Sequence, residues 1–226
     1  MVGAAALSLA VPAFGQAYDM QLTGVEGVVY PASDAYAGLY YGTVNAGPTT
    51  AMICDDYFTE IPLPYSWTAT ALAAPAIPAN LASTKFGSTL GANALTDYAE
   101  IATLVELMFV STETASQRAD ISGAIWSIAD KGTGPIPLDL GSYADILWAQ
   151  NYVGSNAANV LAADTNLTLY TPSPLSASQE FWVDPKDTTT VPEGGAGLTY
   201  LLLAGTACLG AIVFRSRAKI GNGVSA

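Results

Sequence analysis

The sequence predicts an α+β fold, to which one C-terminal transmembrane helix is added. Three observations carry this prediction. Gly-, Thr- and Tyr-rich segments near the start of the chain, together with segments around residue 180, are typical of β-strands. A middle region of about 96–155 has helical periodicity, and residues 196–214 form an uncharged apolar run. We therefore expect strands, a helical middle, a closing hairpin and then a membrane span.

The first strands are expected at residues 25–30 and 37–44, where β-branched and aromatic residues are punctuated by glycines. A short apolar run at 51–54 indicates a buried strand, which ends on an acidic pair. Residues 70–94 are rich in Ala, Pro, Ser and Asn, which favours a loop or an excursion. Segments 167–170 and 180–183 flank a Pro- and Ser-rich turn and predict the closing hairpin.

Three helices are predicted in the middle of the chain. They cover residues 98–109, a segment that begins near Ser116, and residues 142–152. Apolar residues of these segments recur at helical spacing and are expected to face the core: Ile101, Leu104, Val105, Met108, Ile121, Ala124, Ile125, Ile128, Ile146 and Leu147.

The chain has 226 residues, which allows one ordinary domain plus targeting segments. Residues 1–17 resemble a signal peptide, because an apolar run is broken by Pro12 and followed by small residues at Gly15 and Ala17. A buried N-terminal helix is the alternative. An exported globular domain is expected at 18–185, followed by a linker with a sorting motif at 186–195.

The apolar segment 196–214 predicts a membrane span. Nineteen helical residues extend about 28 Å, close to the roughly 30 Å hydrocarbon core of a bilayer. The segment begins at Ala196, ends at Phe214 and is centred on Leu201, Leu202 and Leu203. A basic cluster follows at once: Arg215, Arg217 and Lys219. The positive-inside rule places residues 215–226 in the cytoplasm and the acidic domain outside.

A short motif precedes the apolar segment: Val191, Pro192, Glu193 and Gly194. The order of motif, apolar segment, basic cluster and chain end resembles the PEP-CTERM sorting signal over residues 191–219. In that family an exosortase, a membrane-embedded cysteine-protease-like enzyme, recognises the motif and removes the tail. Gly194 stands where the family has a second proline, so the motif is a variant. A plain membrane anchor is the alternative.

This resemblance implies export by the Sec machinery and processing by an exosortase. It implies a membrane-anchored precursor in a Gram-negative-type bacterium, with the processed protein at the outer surface of the envelope or secreted. Exopolysaccharide is the candidate partner of the exported domain.

Composition excludes several classes of function. The chain has no histidine, which excludes a Ser-His-Asp triad and His-ligated metal centres. Between residues 18 and 190, four basic residues face eighteen acidic ones, a balance that repels phosphate backbones and argues against nucleic-acid binding. Of the two cysteines, Cys208 lies in the apolar tail, so Cys54 has no partner for an intradomain disulfide. We expect no cofactor and no metal.

One further set of residues resembles known domains: Cys54, Asp55, Asp56, Trp67, Ala124, Ile125 and Trp126. The set is similar to a group of PEP-CTERM exported domains and, more distantly, to the thioester domains of bacterial surface adhesins. In the latter, a cysteine and a glutamine form an internal thioester that captures host amines. Ser122 occupies the glutamine position here and has no acyl carbon. We therefore expect Cys54 to be a small buried residue and Trp126 to anchor the helix–sheet core.

The function predicted from these features is that of a non-enzymatic exported protein, with a structural or interaction role in exopolysaccharide or biofilm. Two alternatives stay open. One is a thioester-type adhesin, and the other is a glycan hydrolase that uses a pair of the eighteen available acids.

Overall fold

The computed structural model describes residues 16–110, 113–131 and 133–186. Residues 1–15 of the predicted signal peptide lie outside the described residues. So do the sorting motif 191–194, the apolar segment 196–214 and the basic cluster at 215–219. Within the described ranges, none of the helices has the length and apolar character that a membrane crossing requires.

Six antiparallel strands close into a barrel in the order β1-β4-β5-β8-β7-β6, and a separate two-stranded hairpin pairs β2 with β3. The strands of the described residues are β1 (Ala17–Val25), β2 (Val28–Val29), β3 (Tyr36–Ala37), β4 (Tyr40–Val44), β5 (Thr50–Cys54), β6 (Tyr65–Ala73), β7 (Thr168–Pro172) and β8 (Phe181–Val183). The predicted α+β class is therefore wrong: the fold is a closed barrel with helices. The transmembrane helix predicted at 196–214 lies outside the described residues.

Two long-range pairings close the barrel. Strand β1 pairs with β6, with Ala17 opposite Thr70, and β5 pairs with β8, with Cys54 opposite Phe181. The expected closing hairpin, β7 with β8, is thus a pair of adjacent barrel strands and not a separate unit. Strands that are far apart in the sequence carry no local pattern that identifies them as partners, so the sequence did not predict that the sheet closes into a barrel.

Glycines with positive φ account for the misplaced early strands. The expected strand 25–30 is interrupted at Gly27, with φ of 86°, and the expected strand 37–44 at Gly38, with φ of 80°. These angles are readily adopted only by glycine, and they break the extended conformation. The result is the small β2–β3 hairpin beside the barrel, and only Tyr40–Val44 of the second expected strand forms a barrel strand, β4.

The helices lie mostly in the middle of the chain: α1 (Ile77–Asn80), α2 (Gly87–Leu90), α3 (Ala94–Val110), α4 (Ala115–Ala129), α5 (Leu140–Val153) and α6 (Ala157–Ala163). Thr114 and Gln117 form a capping box at the start of α4, and the Asp139 side chain caps α5. The segment 70–94, expected to be a loop, instead holds the end of β6, helices α1 and α2, and three turns of 3-10 helix. Helix α6 was not predicted.

The apolar residues form two cores on the two sides of the barrel wall. Met20, Leu22 and Phe181 belong to the core inside the barrel. Ile53 and Trp182 belong to the second core, which the helices share with the outer face of β5 and β8. Because successive strand residues point to opposite faces, Cys54 next to Ile53 faces inward. Burial on both faces explains why residues 51–54 are continuously apolar.

Candidate functional site

A cleft of about 690 Å³ opens where the barrel meets helix α4 and the β2–β3 hairpin. Its volume lies within the range of about 300–1,000 Å³ that is usual for small-molecule sites. The segment that follows β5, residues 56–63, forms one side. Five aromatic residues line the cleft: Tyr36, Tyr40, Tyr57, Phe58 and Trp126.

Hydrogen bonds and ring packing hold these aromatic residues in place. The Trp126 indole N–H donates to the Cys54 carbonyl at 3.1 Å, and its ring lies 5.4 Å from that of Tyr57. The Tyr40 hydroxyl donates to the Tyr36 carbonyl at 2.7 Å. Tyr57 and Phe58 meet edge to face at 5.1 Å. Tyr36 and Phe58 are 51% and 44% exposed, so ring surface is open to a ligand.

Gln179 contributes a buried amide to the cleft. Its Nε2 donates to the Asp56 carbonyl at 3.0 Å, whereas its Oε1 is buried without a hydrogen-bond partner among the described residues. A carbonyl oxygen can only accept, so the contact with Asp56 fixes which end of the amide is the nitrogen. A buried acceptor without a donor is costly. The wall of the cleft therefore holds one unsatisfied acceptor beneath its surface.

Two carboxylates of the cleft, Asp34 and Glu60, make no ion pair and accept no hydrogen bond within the described part of the chain. The third, Asp56, is paired with Lys85. The remaining described cations are held elsewhere, in the contacts Arg118–Glu26, Lys131–Asp97 and Lys186–Asn166. The charged groups that the cleft leaves for a ligand are thus carboxylates, and they lie beside the hydroxyls of Tyr36 and Tyr57, which can donate or accept.

A second group of acids is buried in the core. The Asp55 carboxyl accepts from the Trp182 indole N–H at 2.8 Å. The Glu180 carboxyl accepts from the Tyr98 hydroxyl at 2.7 Å, from the Lys85 backbone N–H at 2.9 Å and from the Thr171 hydroxyl. Burial raises the pKa of both carboxyls. Asp55 and Glu180 have no exposed surface, so a substrate cannot reach them.

Asp130 joins the end of α4 to the cleft. Its carboxyl accepts from the Tyr57 backbone N–H at 2.9 Å, which fixes the start of the aromatic segment. Burial, opposed by that hydrogen bond, raises the pKa of Asp130 to about 7. A core acid thus helps to shape the ligand-facing wall.

The Cys54 thiol lies just beneath the cleft, held against the backbone of Asp56. Its Sγ donates to the Asp56 carbonyl at 3.2 Å and accepts from the Asp56 N–H at 3.3 Å. Burial raises the pKa of this thiol well above its usual range. Ser122 has other partners: its hydroxyl donates to the Arg118 carbonyl at 3.0 Å and accepts from the Gly38 N–H at 2.9 Å. The two residues therefore share no hydrogen-bond partner.

The other residues of the family-like set lie in the two cores. Trp67 is inside the barrel, with its ring 5.4 Å from that of Phe181. Ala124 and Ile125 are buried on α4 in the helical core. The structure thus joins Cys54 directly to Trp126, while Trp67 belongs to a different core from Trp126.

Sequence reasoning missed the residues that distinguish the cleft. The adjacent pair Tyr57-Phe58 directly after Asp55-Asp56 was a local signal that could have been noticed. Gln179 offered none, because its hydrogen-bond partner Asp56 is 123 residues away in the chain. Neither the family models, the curated proteins nor the solved structures contain a match to this chain.

Proposed function

We propose that this chain is an exported, non-enzymatic surface or matrix protein of a Gram-negative-type bacterium, and that its domain binds extracellular polysaccharide. The cleft is the observation that carries the proposal. Sugar rings present C–H faces that pack on aromatic rings and hydroxyl groups that donate hydrogen bonds. The cleft offers the exposed rings of Tyr36 and Phe58 together with the exposed carboxyls of Asp34 and Glu60.

The C-terminal segment supports the export part of the proposal. Residues 191–219 have the order of motif, apolar segment and basic cluster that resembles a PEP-CTERM sorting signal. We propose that an exosortase removes this tail and releases the domain to the surface or the medium.

Burial weighs against the thioester alternative and limits the acids that the hydrolase alternative could use. A thioester adhesin would require Cys54 to react with an acyl group, whereas this thiol is buried with a raised pKa, and the position expected for glutamine is Ser122. A glycan hydrolase would require two accessible carboxyls; Asp55 and Glu180 are fully buried, so Asp34 and Glu60 are the acids of the cleft that this alternative could use. A binding domain requires neither a reactive thiol nor a pair of catalytic carboxyls.

Intact-mass measurement tests the sorting step. The full chain is produced in a Gram-negative host that carries an exosortase, and in the same host without it. We expect the mature protein, in the envelope or medium, to end upstream of Ala196 only where the exosortase is present. The double variant Pro192→Ala, Glu193→Ala should keep its tail, whereas the matched control Pro185→Ala should be processed normally. A wild-type protein that keeps its tail in the exosortase host contradicts the sorting proposal.

Co-sedimentation tests the binding step. The processed protein is mixed with insoluble extracellular polysaccharide from the same host and centrifuged. We expect the folded protein in the pellet, and the same protein, unfolded in urea and diluted under conditions that prevent refolding, in the supernatant. Recovery of the folded protein entirely in the supernatant contradicts a polysaccharide-binding role.

A further inference from the structure

We infer that this protein forms a homodimer through helix α5, with the exposed apolar faces of two α5 helices packed antiparallel around a two-fold axis. The inference goes beyond the proposed function and does not rest on it, because the residues of α5 do not line the cleft.

Large apolar side chains cover the solvent side of α5. They recur at spacings of three and four residues, which places them on one side of the helix. These residues and their exposed fractions are Leu140 (89%), Tyr143 (54%), Leu147 (42%), Trp148 (43%) and Tyr152 (62%). Each of the other three tryptophans of the chain is at most 7% exposed. A contiguous apolar patch of this kind is typical of a surface that binds a partner.

The exposed face of α5 is free of charge in a strongly acidic domain. Among the residues of α5, all of which the structure describes, Asp145 is the only charged one, and its side chain is partly buried. Four basic residues against eighteen acidic ones between residues 18 and 190 oppose the association of two copies wherever their carboxylates would meet. Two copies can meet at the α5 face without that repulsion, whereas a basic partner would find no carboxylate on it. The charge pattern therefore favours a second copy.

The area of this face matches what a stable dimer buries. With about 200 Å² for a fully exposed large side chain, the five apolar residues together expose on the order of 600 Å². Two copies would then bury roughly 1,200 Å² between them, which reaches the lower limit of specific interfaces. Gln150 and Asn151 are also exposed on α5 and enlarge the contact with a polar margin.

The two ends of α5 complement each other. At its start, Leu140, Asp120 and Asp139 line an open recess of about 730 Å³. Near its end, the rings of Trp148 and Tyr152 stack with centres 5.7 Å apart and planes at 21°. The twelve residues from Leu140 to Tyr152 extend about 18 Å, so antiparallel pairing places the ring pair of each copy at the recess of the other. There the Tyr152 hydroxyl can donate to a carboxyl of the recess, and both contacts recur by symmetry.

Sedimentation velocity of the processed protein over a dilution series tests the association. We expect a dimer at about 100 μM that dissociates on dilution. Leu147→Asp should weaken the dimer at least about 100-fold, because it buries a charge at the centre of the interface, and Trp148→Ala should weaken it about 30-fold. The matched control Leu175→Asp makes the same change at a leucine that is also 42% exposed but lies between β7 and β8, and it should leave the dimer unchanged.

Disulfide cross-linking of the full chain in cells tests the orientation. The variants Leu147→Cys, Tyr152→Cys and Leu175→Cys are each made in a Cys208→Ser background and treated with a mild oxidant. Leu147 lies near the proposed two-fold axis, so Leu147→Cys should give a covalent dimer. In the antiparallel arrangement the two copies of Tyr152 lie about 18 Å apart along the helix axes, beyond the reach of a disulfide. Tyr152→Cys and Leu175→Cys should therefore stay monomeric on a non-reducing gel.

The outcomes separate this inference from the proposed function. A wild-type protein that is monomeric at about 100 μM, or a Leu147→Asp variant that dimerises as wild type does, overturns the α5 dimer. Cross-linking of Tyr152→Cys as efficient as that of Leu147→Cys overturns the antiparallel arrangement, and equal cross-linking of Leu175→Cys overturns the interface. Retention of the tail, or failure to sediment with polysaccharide, contradicts the proposed function alone, because cross-linking of the full chain requires neither.

Discussion

The buried acids of the core and the exposed acids of the cleft are the same residue types in opposite roles. Asp55 and Glu180 have no exposed surface and accept hydrogen bonds from Trp182, Tyr98 and other core groups. Glu60 at the cleft is exposed and unpaired within the described residues. Burial converts a carboxyl into a structural hydrogen-bond acceptor with a raised pKa. Exposure leaves it open to solvent and available to a ligand.

The comparison implies that stability and binding depend on different acids. Removing a buried carboxyl should destabilise the fold, because its donors would remain buried without partners. Removing an exposed carboxyl should change binding and leave the fold intact.

The largest effect is expected for Glu180→Ala. This change leaves the Tyr98 hydroxyl, the Thr171 hydroxyl and the Lys85 N–H without their acceptor. We expect the free energy of unfolding to fall by about 3–5 kcal/mol, measured by urea denaturation. Glu180→Gln keeps the size and one acceptor and should cost less than half as much. Equal stability of the alanine variant and wild type would show that the buried network does not support the fold.

A pH dependence of stability follows from the raised pKa of Asp130, about 7 in the folded protein and about 3.9 in an unfolded chain. Between these values the folded state holds a proton that the unfolded state lacks. The stabilisation is therefore complete below about pH 4 and is lost as the pH rises through 7. The pKa values of Asp55 and Glu180 are also raised in the folded protein, so these groups change stability with pH in the same direction.

We expect the free energy of unfolding to decrease from pH 5 to pH 8, with Asp130 contributing on the order of 2 kcal/mol. Urea midpoints at constant ionic strength measure this trend. Asp130→Asn should make it shallower, because asparagine does not titrate. A midpoint that rises with pH would reverse the sign and contradict the assignment.

Cys54 should show a smaller effect on stability and no reactivity in the folded state. Cys54→Ala removes a buried sulfur and its two contacts with Asp56 and should cost about 1–2 kcal/mol. Iodoacetamide should modify this thiol only in denaturant, and methylamine should leave the intact mass unchanged. Peptide mapping separates Cys54 from Cys208. A mass lower by one ammonia, which then increases by the mass of one methylamine on treatment, would instead identify an internal thioester.

The smallest effect on stability is expected for Glu60→Gln. Because this carboxylate is exposed and unpaired, the free energy of unfolding should change by less than about 0.5 kcal/mol. Urea denaturation of this variant beside Glu180→Gln compares the same chemical change at the two kinds of site. Equal losses would remove the distinction between core and cleft acids.

Local patterns located much of the secondary structure but not its arrangement. Apolar residues at helical spacing marked the segments that become α3, α4 and α5, since those contacts fall within a few residues of one another. The expectation that Leu147 of α5 faces the core is wrong, because its side chain is 42% exposed. Strand β1 (Ala17–Val25) alternates inward Met20 and Leu22 with exposed residues, but it lies at the expected end of the signal peptide and was not identified. Its pairing with β6 closes the barrel, and that partner is about 50 residues away.

What the sequence by itself determined is what composition and short spacing encode: the lack of histidine, the acidic domain, and the order of motif, apolar segment and basic cluster at the C-terminus. Only the tertiary structure decided that the barrel closes, that Cys54 and Ser122 have separate partners, and that Gln179 lies in one cleft with Asp34 and Glu60. The physical reason is that burial depends on strands distant in the chain coming together. Whether a carboxyl supports the core or faces a ligand is set by that burial and not by its sequence neighbours.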